Sequence, residues 1–170
     1  MRWLLLLVVA CGHPSDPQKE PDKSGSGTGP TRGMHTYTTS QQVCDAFPLA
    51  QIATVTKLAV DHAVPSTNDA RPRCTYSQQG QPDINVVLQM HLTPSLDPIK
   101  RTFKDGHAVA NLGDDSWFFH SQKNAGALYV QQGGMQIMVE VTDPGAKLFT
   151  DEAAELAMTQ ELARTVISKQ

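Results

Sequence analysis

Ile84-Asn85-Val86-Val87-Leu88-Gln89-Met90-His91-Leu92-Thr93 alternates apolar and polar residues with a period of two, Val87 being the one exception. Successive side chains of a strand point to opposite faces. The pattern therefore predicts a strand that puts Ile84, Val86, Leu88, Met90 and Leu92 into a core beneath a helix. Asn85, Gln89, His91 and Thr93 are expected to share the other face, which in an antiparallel sheet can face water. A strand buried on one face needs neighbours, and the chain on either side supplies them.

Upstream, Cys74-Thr75-Tyr76-Ser77 alternates as a strand, and Gln79-Gly80-Gln81-Pro82 turns it into the long one. Leu58 to His62 reads as a weaker first strand, followed by a turn cluster from Pro65 to Asp69. Before these, Ser40 can cap a helix through Val43-Cys44-Asp45-Ala46-Phe47. Pro48, a residue tolerated in a first turn, can restart a helix over Leu49–Val55. Downstream, Ser95 can cap a short helix in which Ile99 and Phe103 share a face, and Gly106 can end it. Three further strands are expected at Trp117–Phe119, Ala127–Val130 and Met135–Val141, with Gln132-Gly133-Gly134 joining the last two as a hairpin. Asp143-Pro144-Gly145 breaks the sheet. A closing helix follows, with Thr150 as its cap and Asp151 and Glu152 matching its positive end. Its Leu156, Thr159, Leu162, Ala163, Val166 and Ile167 lie within one arc at helical spacing. A helix followed by three strands thus occurs twice. The fold class is α+β: about six mainly antiparallel strands in one sheet, with the N- and C-terminal helices packed on it.

The N-terminus has a different character. Arg2 precedes an apolar run from Trp3 to Val9, then Ala10 and Cys11. That run is shorter than the roughly 17–25 residues a membrane-spanning helix needs, and its length and charged flank fit a signal-peptide core. Val8-Val9-Ala10-Cys11 resembles the lipobox of bacterial lipoproteins: a branched apolar residue, a small residue, then the cysteine that takes the lipid. The resemblance implies cleavage before Cys11 and a diacylglycerol on its sulfur. Buried lipid contributes about 0.8 kcal/mol per CH₂, and two or more chains anchor stably where one does not. The organisation expected is a lipoprotein signal peptide at 1–10, the lipidated cysteine and a disordered tether at 11–40, and one globular α+β domain at 41–170. The tether is rich in Pro, Gly and Ser and includes His13 and His35. At about 5–6 Å × √n its ends average on the order of 30 Å apart, enough to hold a domain clear of the membrane surface.

The chain has three cysteines, Cys11, Cys44 and Cys74. If Cys11 carries lipid, Cys44 and Cys74 remain as a pair, and an exported compartment permits a disulfide. Closing residues 44 to 74 into a loop stabilises by roughly 3.7 kcal/mol in the chain-entropy model. Two buried thiols and a metal site are the alternatives, and two cysteines without CxxC spacing make a poor metal signature.

The formal charge of −3 is small and evenly mixed. With no basic patch, nucleic acid is not an expected partner. No catalytic motif stands out: there is no GxSxG elbow. Gly113-Asp114-Asp115 lacks the further oxygen ligands and bidentate glutamate of a calcium loop. His62, His107 and His120, with Asp61 or Asp114, would be the material for a zinc site, but they lack HxxxH or HExxH spacing. Trp117-Phe118-Phe119 offers a lining for a ligand pocket, although alternation sends at least one of the three into the core. No catalytic residue, metal ligand or cofactor is assigned.

A cysteine early in the first helix, Cys74-Thr75-Tyr76, a later Leu112-Gly113-Asp114 and a C-terminal helix after an apolar hairpin together resemble a family of small bacterial lipoproteins best known from actinobacteria. These carry a lipobox, a low-complexity tether and one disulfide-bearing domain of unknown function. The family often has alanine where this chain has Ser116. The order of elements also resembles the PsbP-like fold, whose members are mostly accessory or binding modules; that bears on function by analogy alone. The expected function is a lipid-anchored cell-envelope lipoprotein acting as a non-enzymatic binding or accessory module. Its partners would be the membrane through the lipid, and an envelope protein or a small apolar ligand. An envelope enzyme with a dispersed site, hydrolytic or metal-dependent, is the alternative. Gly12 after the cysteine, where inner-membrane retention would favour aspartate, points to the outer membrane or cell surface.

Overall fold

The computed structural model describes residues 36–67, 70–122, 125–143, 149 and 151–170, without the side chains of 82–84. Cys11, the segment 1–10 and all but the end of 11–40 lie outside the described residues, as does the side chain of Ile84.

The six strands are β1 (His62–Pro65), β2 (Arg73–Gln78), β3 (Gln81–Leu92), β4 (Asp115–Gln122), β5 (Ala125–Gln132) and β6 (Met135–Thr142). They form one antiparallel sheet in the order β1-β2-β3-β6-β5-β4. Each half is a three-stranded meander, and the halves join where β3 pairs β6. The expected α+β architecture is the one observed. The first strand lies later than its sequence signal: Leu58 to Asp61 is irregular, and Pro65, expected in a turn, ends β1. As an edge-strand residue it forfeits no ladder bond. Gly133 and Gly134 form the two-residue β5–β6 turn with φ of 53° and 90°, the doubly positive geometry of tight hairpins.

The helices are α1 (Ser40–Ala46), α2 (Leu49–Thr56), α3 (Asp97–Thr102) and α4 (Glu152–Ile167). The cap of α1 is Thr39, not Ser40: the Thr39 hydroxyl accepts from Gln42 N and the Gln42 side chain accepts from Thr39 N. That reciprocal pair satisfies two orphan donors at once. Ser40 is instead buried, and its Oγ accepts from Arg73 N at 3.1 Å. Packing begins ahead of residue 41, with Tyr37 against Phe47 at 6.1 Å between ring centres. In α4 the cap is Asp151, which accepts from Ala154 N at 2.9 Å, rather than Thr150. No described helix is long and apolar enough to cross a membrane.

α1, α2 and α4 cover one face of the sheet. The core there joins Val43, Phe47, Ile52, Leu162 and Val166 to Tyr76, Val86, Leu88, Leu128, Ile137 and Val139. Val86, Leu88 and Met90 of the opening stretch point into it as their alternation requires. Leu92 does not: it is 68% exposed. It ends β3 at the rim beside the β5–β6 turn, where Thr93 N donates to Gly134 O, so periodicity continues past the reach of the helices.

α1 is fastened to β2 at three points, at its start, its middle and its C-terminal cap. Besides Ser40, Cys44 is disulfide-bonded to Cys74 with a Cα separation of 5.2 Å, and the Tyr76 hydroxyl donates to Phe47 O at 2.8 Å. Burial raises the Tyr76 hydroxyl above its ordinary pKa, so it stays a proton donor.

Candidate functional site

The second face of the sheet is only partly wet. The chain leaves β3, crosses that face through Thr93 to Leu96 and forms α3 over it. Lys100 Nζ meets both carboxylate oxygens of Asp115 at 2.7 and 2.6 Å. Trp117 Nε1 donates to Phe103 O at 2.9 Å. Phe103 stacks on Phe119 at 3.7 Å, and Phe119 on Tyr129 at 5.7 Å. Leu96 is the cap residue of α3, without a side-chain bond; Ser95 contributes by accepting from Asp97 N. Trp117, a candidate pocket residue from sequence, is committed to the α3 backbone and lines neither of the two concavities described below.

Cross-strand register sets a polar rung beneath this roof. His91 pairs Gln136, Gln136 pairs Gln131, and Gln131 pairs Asp115. Directly opposed side chains stand about 4.5–5.5 Å apart at Cβ, so four polar groups run across β3, β6, β5 and β4. Gln136 and Gln131 are 4% and 7% exposed. Gln131 Nε2 donates to Thr93 O at 2.9 Å. Among the described residues, Gln131 Oε1 and His91 Nδ1 are buried with no hydrogen-bonding protein group. A buried polar atom left unsatisfied costs about 1–3 kcal/mol, so two in one rung mark this place as built for something polar.

A cavity of about 170 Å³ opens there, lined by Arg71, His91, Thr93, Tyr129 and Gln136 on the polar side and by Pro98 and Ile99 on the apolar side. Burial and the Arg71 charge hold the His91 imidazole below its usual pKa. Burial, then the Glu140 carboxylate, push the Tyr129 hydroxyl up, against a smaller opposing pull from Arg71. Both groups are therefore neutral at pH 7 and able to donate or accept. His91, expected to be solvated, is half-buried under α3.

A larger, open groove of about 470 Å³ lies beside Tyr37, Asp45 and Lys169. Its polar groups have partners: Lys169 Nζ meets Ala46 O and Gln51 Oε1 at 2.5 and 2.6 Å, and Asp45 accepts from Gln41. The α3 cavity is the better site because one of its lining groups, His91 Nδ1, is buried with no hydrogen-bonding protein group among the described residues.

The other described histidines do not converge on it. His62 pairs with Asp61 at 2.5 Å on β1. His107 faces Glu152 at 3.8 Å, and His120 meets Glu155 at 3.0 Å. Asp114 accepts from Gly133 N at 2.6 Å, so the acidic loop clasps the β5–β6 turn. Among the described residues no three His, Cys, Asp or Glu side chains group to hold a metal ion.

Sequence reading passed over Glu155. Its side chain is 5% exposed and accepts from Gly126 N as well as meeting His120. A Cβ at position 126 would stand 2.6 Å from Glu155 Cδ, so only glycine admits the carboxylate here. The signal was present: Glu155 lies four residues before Thr159 and seven before Leu162, on the apolar arc of α4, where a carboxylate needs a partner. No protein-family model, no curated protein and no solved structure matches the chain.

Proposed function

We propose that the protein is an exported, lipid-anchored cell-envelope lipoprotein whose α+β domain is a non-enzymatic binding or accessory module. The observation that carries this reading is the disulfide between Cys44 and Cys74. It uses two of the three cysteines and leaves Cys11, directly after Val8-Val9-Ala10, as the odd thiol. A structural disulfide fits an oxidising compartment, and a leftover cysteine behind a lipobox-like run fits lipidation. The rung and cavity under α3 support a binding role for the domain. Gly12 favours the outer membrane or cell surface over the inner membrane.

The test is fractionation of cells expressing the full chain and its Cys11→Ala variant, with mass measurement of the mature protein. The anchored form is expected in the membrane fraction with its mature N-terminus at Cys11 and acyl mass added. The variant is expected to stay folded and lose membrane retention. Retention of the variant, or a mature mass without acyl groups, would overturn the anchor.

A further inference from the structure

We propose that the cavity beneath α3 binds a small organic carboxylate, with the anion held between Arg71 and His91 and its compact apolar part against Pro98 and Ile99. This rests on reading the domain as a binding module and deepens it by naming the ligand class.

Size is the first constraint. A cavity of about 170 Å³ is close to one of about 150 Å³ that takes benzene, and below the roughly 300–1,000 Å³ of sites for larger ligands. The occupant is a molecule of one small ring or a short branched chain.

Charge is the second. Arg71 is the one lining residue carrying a fixed charge, and its planar fork matches a carboxylate. Its field reaches both His91 and Tyr129, so the cation stands over the polar end of the cavity. Glu140 acts on Tyr129 from outside the lining. It opposes an anion at the tyrosine end and leaves the Arg71–His91 end as the place for one.

Hydrogen bonding is the third. His91 lines the cavity and its buried Nδ1 meets no protein group among the described residues. As an N–H it donates to a carboxylate oxygen. Gln136, directly opposite His91 in the register, offers an amide donor beside it. The lining thus pairs a cation and neutral donors with one apolar wall, the composition that orients a small amphiphilic anion.

The probes are benzoate, benzamide and benzamidine, which share size and shape and differ in charge. The full chain is titrated with each while the ring signals of His91 and Tyr129 are followed by NMR. Benzoate is expected to shift both rings saturably, benzamide to bind about tenfold more weakly or worse, and benzamidine to leave them unmoved. Arg71 is exposed, so Arg71→Gln should fold normally, weaken benzoate by about tenfold and leave benzamide unchanged. Equal affinity for the three probes, indifference of benzoate to Arg71→Gln, or no saturable shift of these two rings each overturns the site. None of those failures touches membrane retention, which reads Cys11 alone. Loss of the anchor reading would likewise leave a benzoate response standing.

Discussion

In the first half of the sheet, α1 lies on the core face and is tied to β2 by a disulfide, by the Ser40 hydroxyl on Arg73 N and by Tyr76 on Phe47 O. In the second half, the helix that precedes the meander, α3, lies on the opposite face. It is held by the Lys100–Asp115 pair, the Trp117 bond to Phe103 O and a stack of rings. The strand order 1-2-3-6-5-4 makes the two meanders counterparts, yet their helices part company because α4 takes the core face over β5 and β6. The difference divides the labour. The disulfide and the buried Tyr76 bond make the first half a fixed frame. Bonds that are part-exposed let α3 act as the yielding roof of a cavity, since exposed ion pairs contribute only about 0.2–1 kcal/mol and local opening is easiest where burial is least.

The sharpest way to break this contrast is to remove the frame's covalent tie. Cys44→Ala with Cys74→Ala should lower unfolding free energy by about 3–4 kcal/mol through loop entropy alone, read by urea denaturation. A loss below about 1 kcal/mol would mean that Ser40 and Tyr76 hold α1 unaided.

Next comes the tie that seats α4. Glu155→Ala leaves Gly126 N–H buried without its acceptor and should cost about 2–3 kcal/mol. Glu155→Gln keeps an acceptor and should cost clearly less, and His120→Ala, at a part-exposed partner, less again. Equal losses for all three, measured by thermal unfolding, would show that the carboxylate is not what holds β5.

A smaller effect is expected at the roof. Lys100→Met removes the pair with Asp115 and should cost at most about 1 kcal/mol globally. It should speed hydrogen exchange of the α3 amides while those of α1 stay protected. Equal exchange in α1 and α3 before mutation would erase the contrast between frame and roof.

The smallest effect is the pH response of the roofed histidine. The His91 pKa is lowered in the folded protein from an ordinary 6.5, so the unfolded chain binds the proton more readily. Stability is therefore complete above about pH 6.5 and falls as pH drops from there through the folded-state value. His91→Asn should flatten the melting temperature in that window. Asp61 shifts the other way: its hydrogen bonds from His62 and Gln79 hold its carboxyl below 3.8. Its contribution is present above that value and lost at more acid pH. An unchanged slope between pH 7 and 5 in His91→Asn would remove His91 as its source.

Local pattern was enough for the elements themselves. The alternation of 84–93 announced β3, the arc from Leu156 to Val166 announced the buried face of α4, and Gly133-Gly134 announced a hairpin. Cysteine arithmetic left Cys44 and Cys74 to pair, and they do. These features depend on residues near one another in sequence, where period and backbone preference act directly. Caps shifted by one residue, Thr39 for Ser40 and Asp151 for Thr150, because neighbouring hydroxyl and carboxylate side chains offer equivalent acceptors and final packing selects one.

The sequence by itself determined the strands, the helical faces and the cysteine arithmetic. Only the tertiary structure decided that β3 pairs β6, and the rest of the site descends from that pairing. It aligns His91, Gln136, Gln131 and Asp115, drawn from four strands, into one polar rung whose two glutamines are buried. It also leaves the core face to α4 and sends α3 over the rung, turning a face that alternation marks as wet into a roofed cavity. A period of two fixes which residues share a face of one strand. It carries no information about which strand lies alongside, in what register, or which helix lies above, because the whole chain settles these by competing to bury the same apolar area.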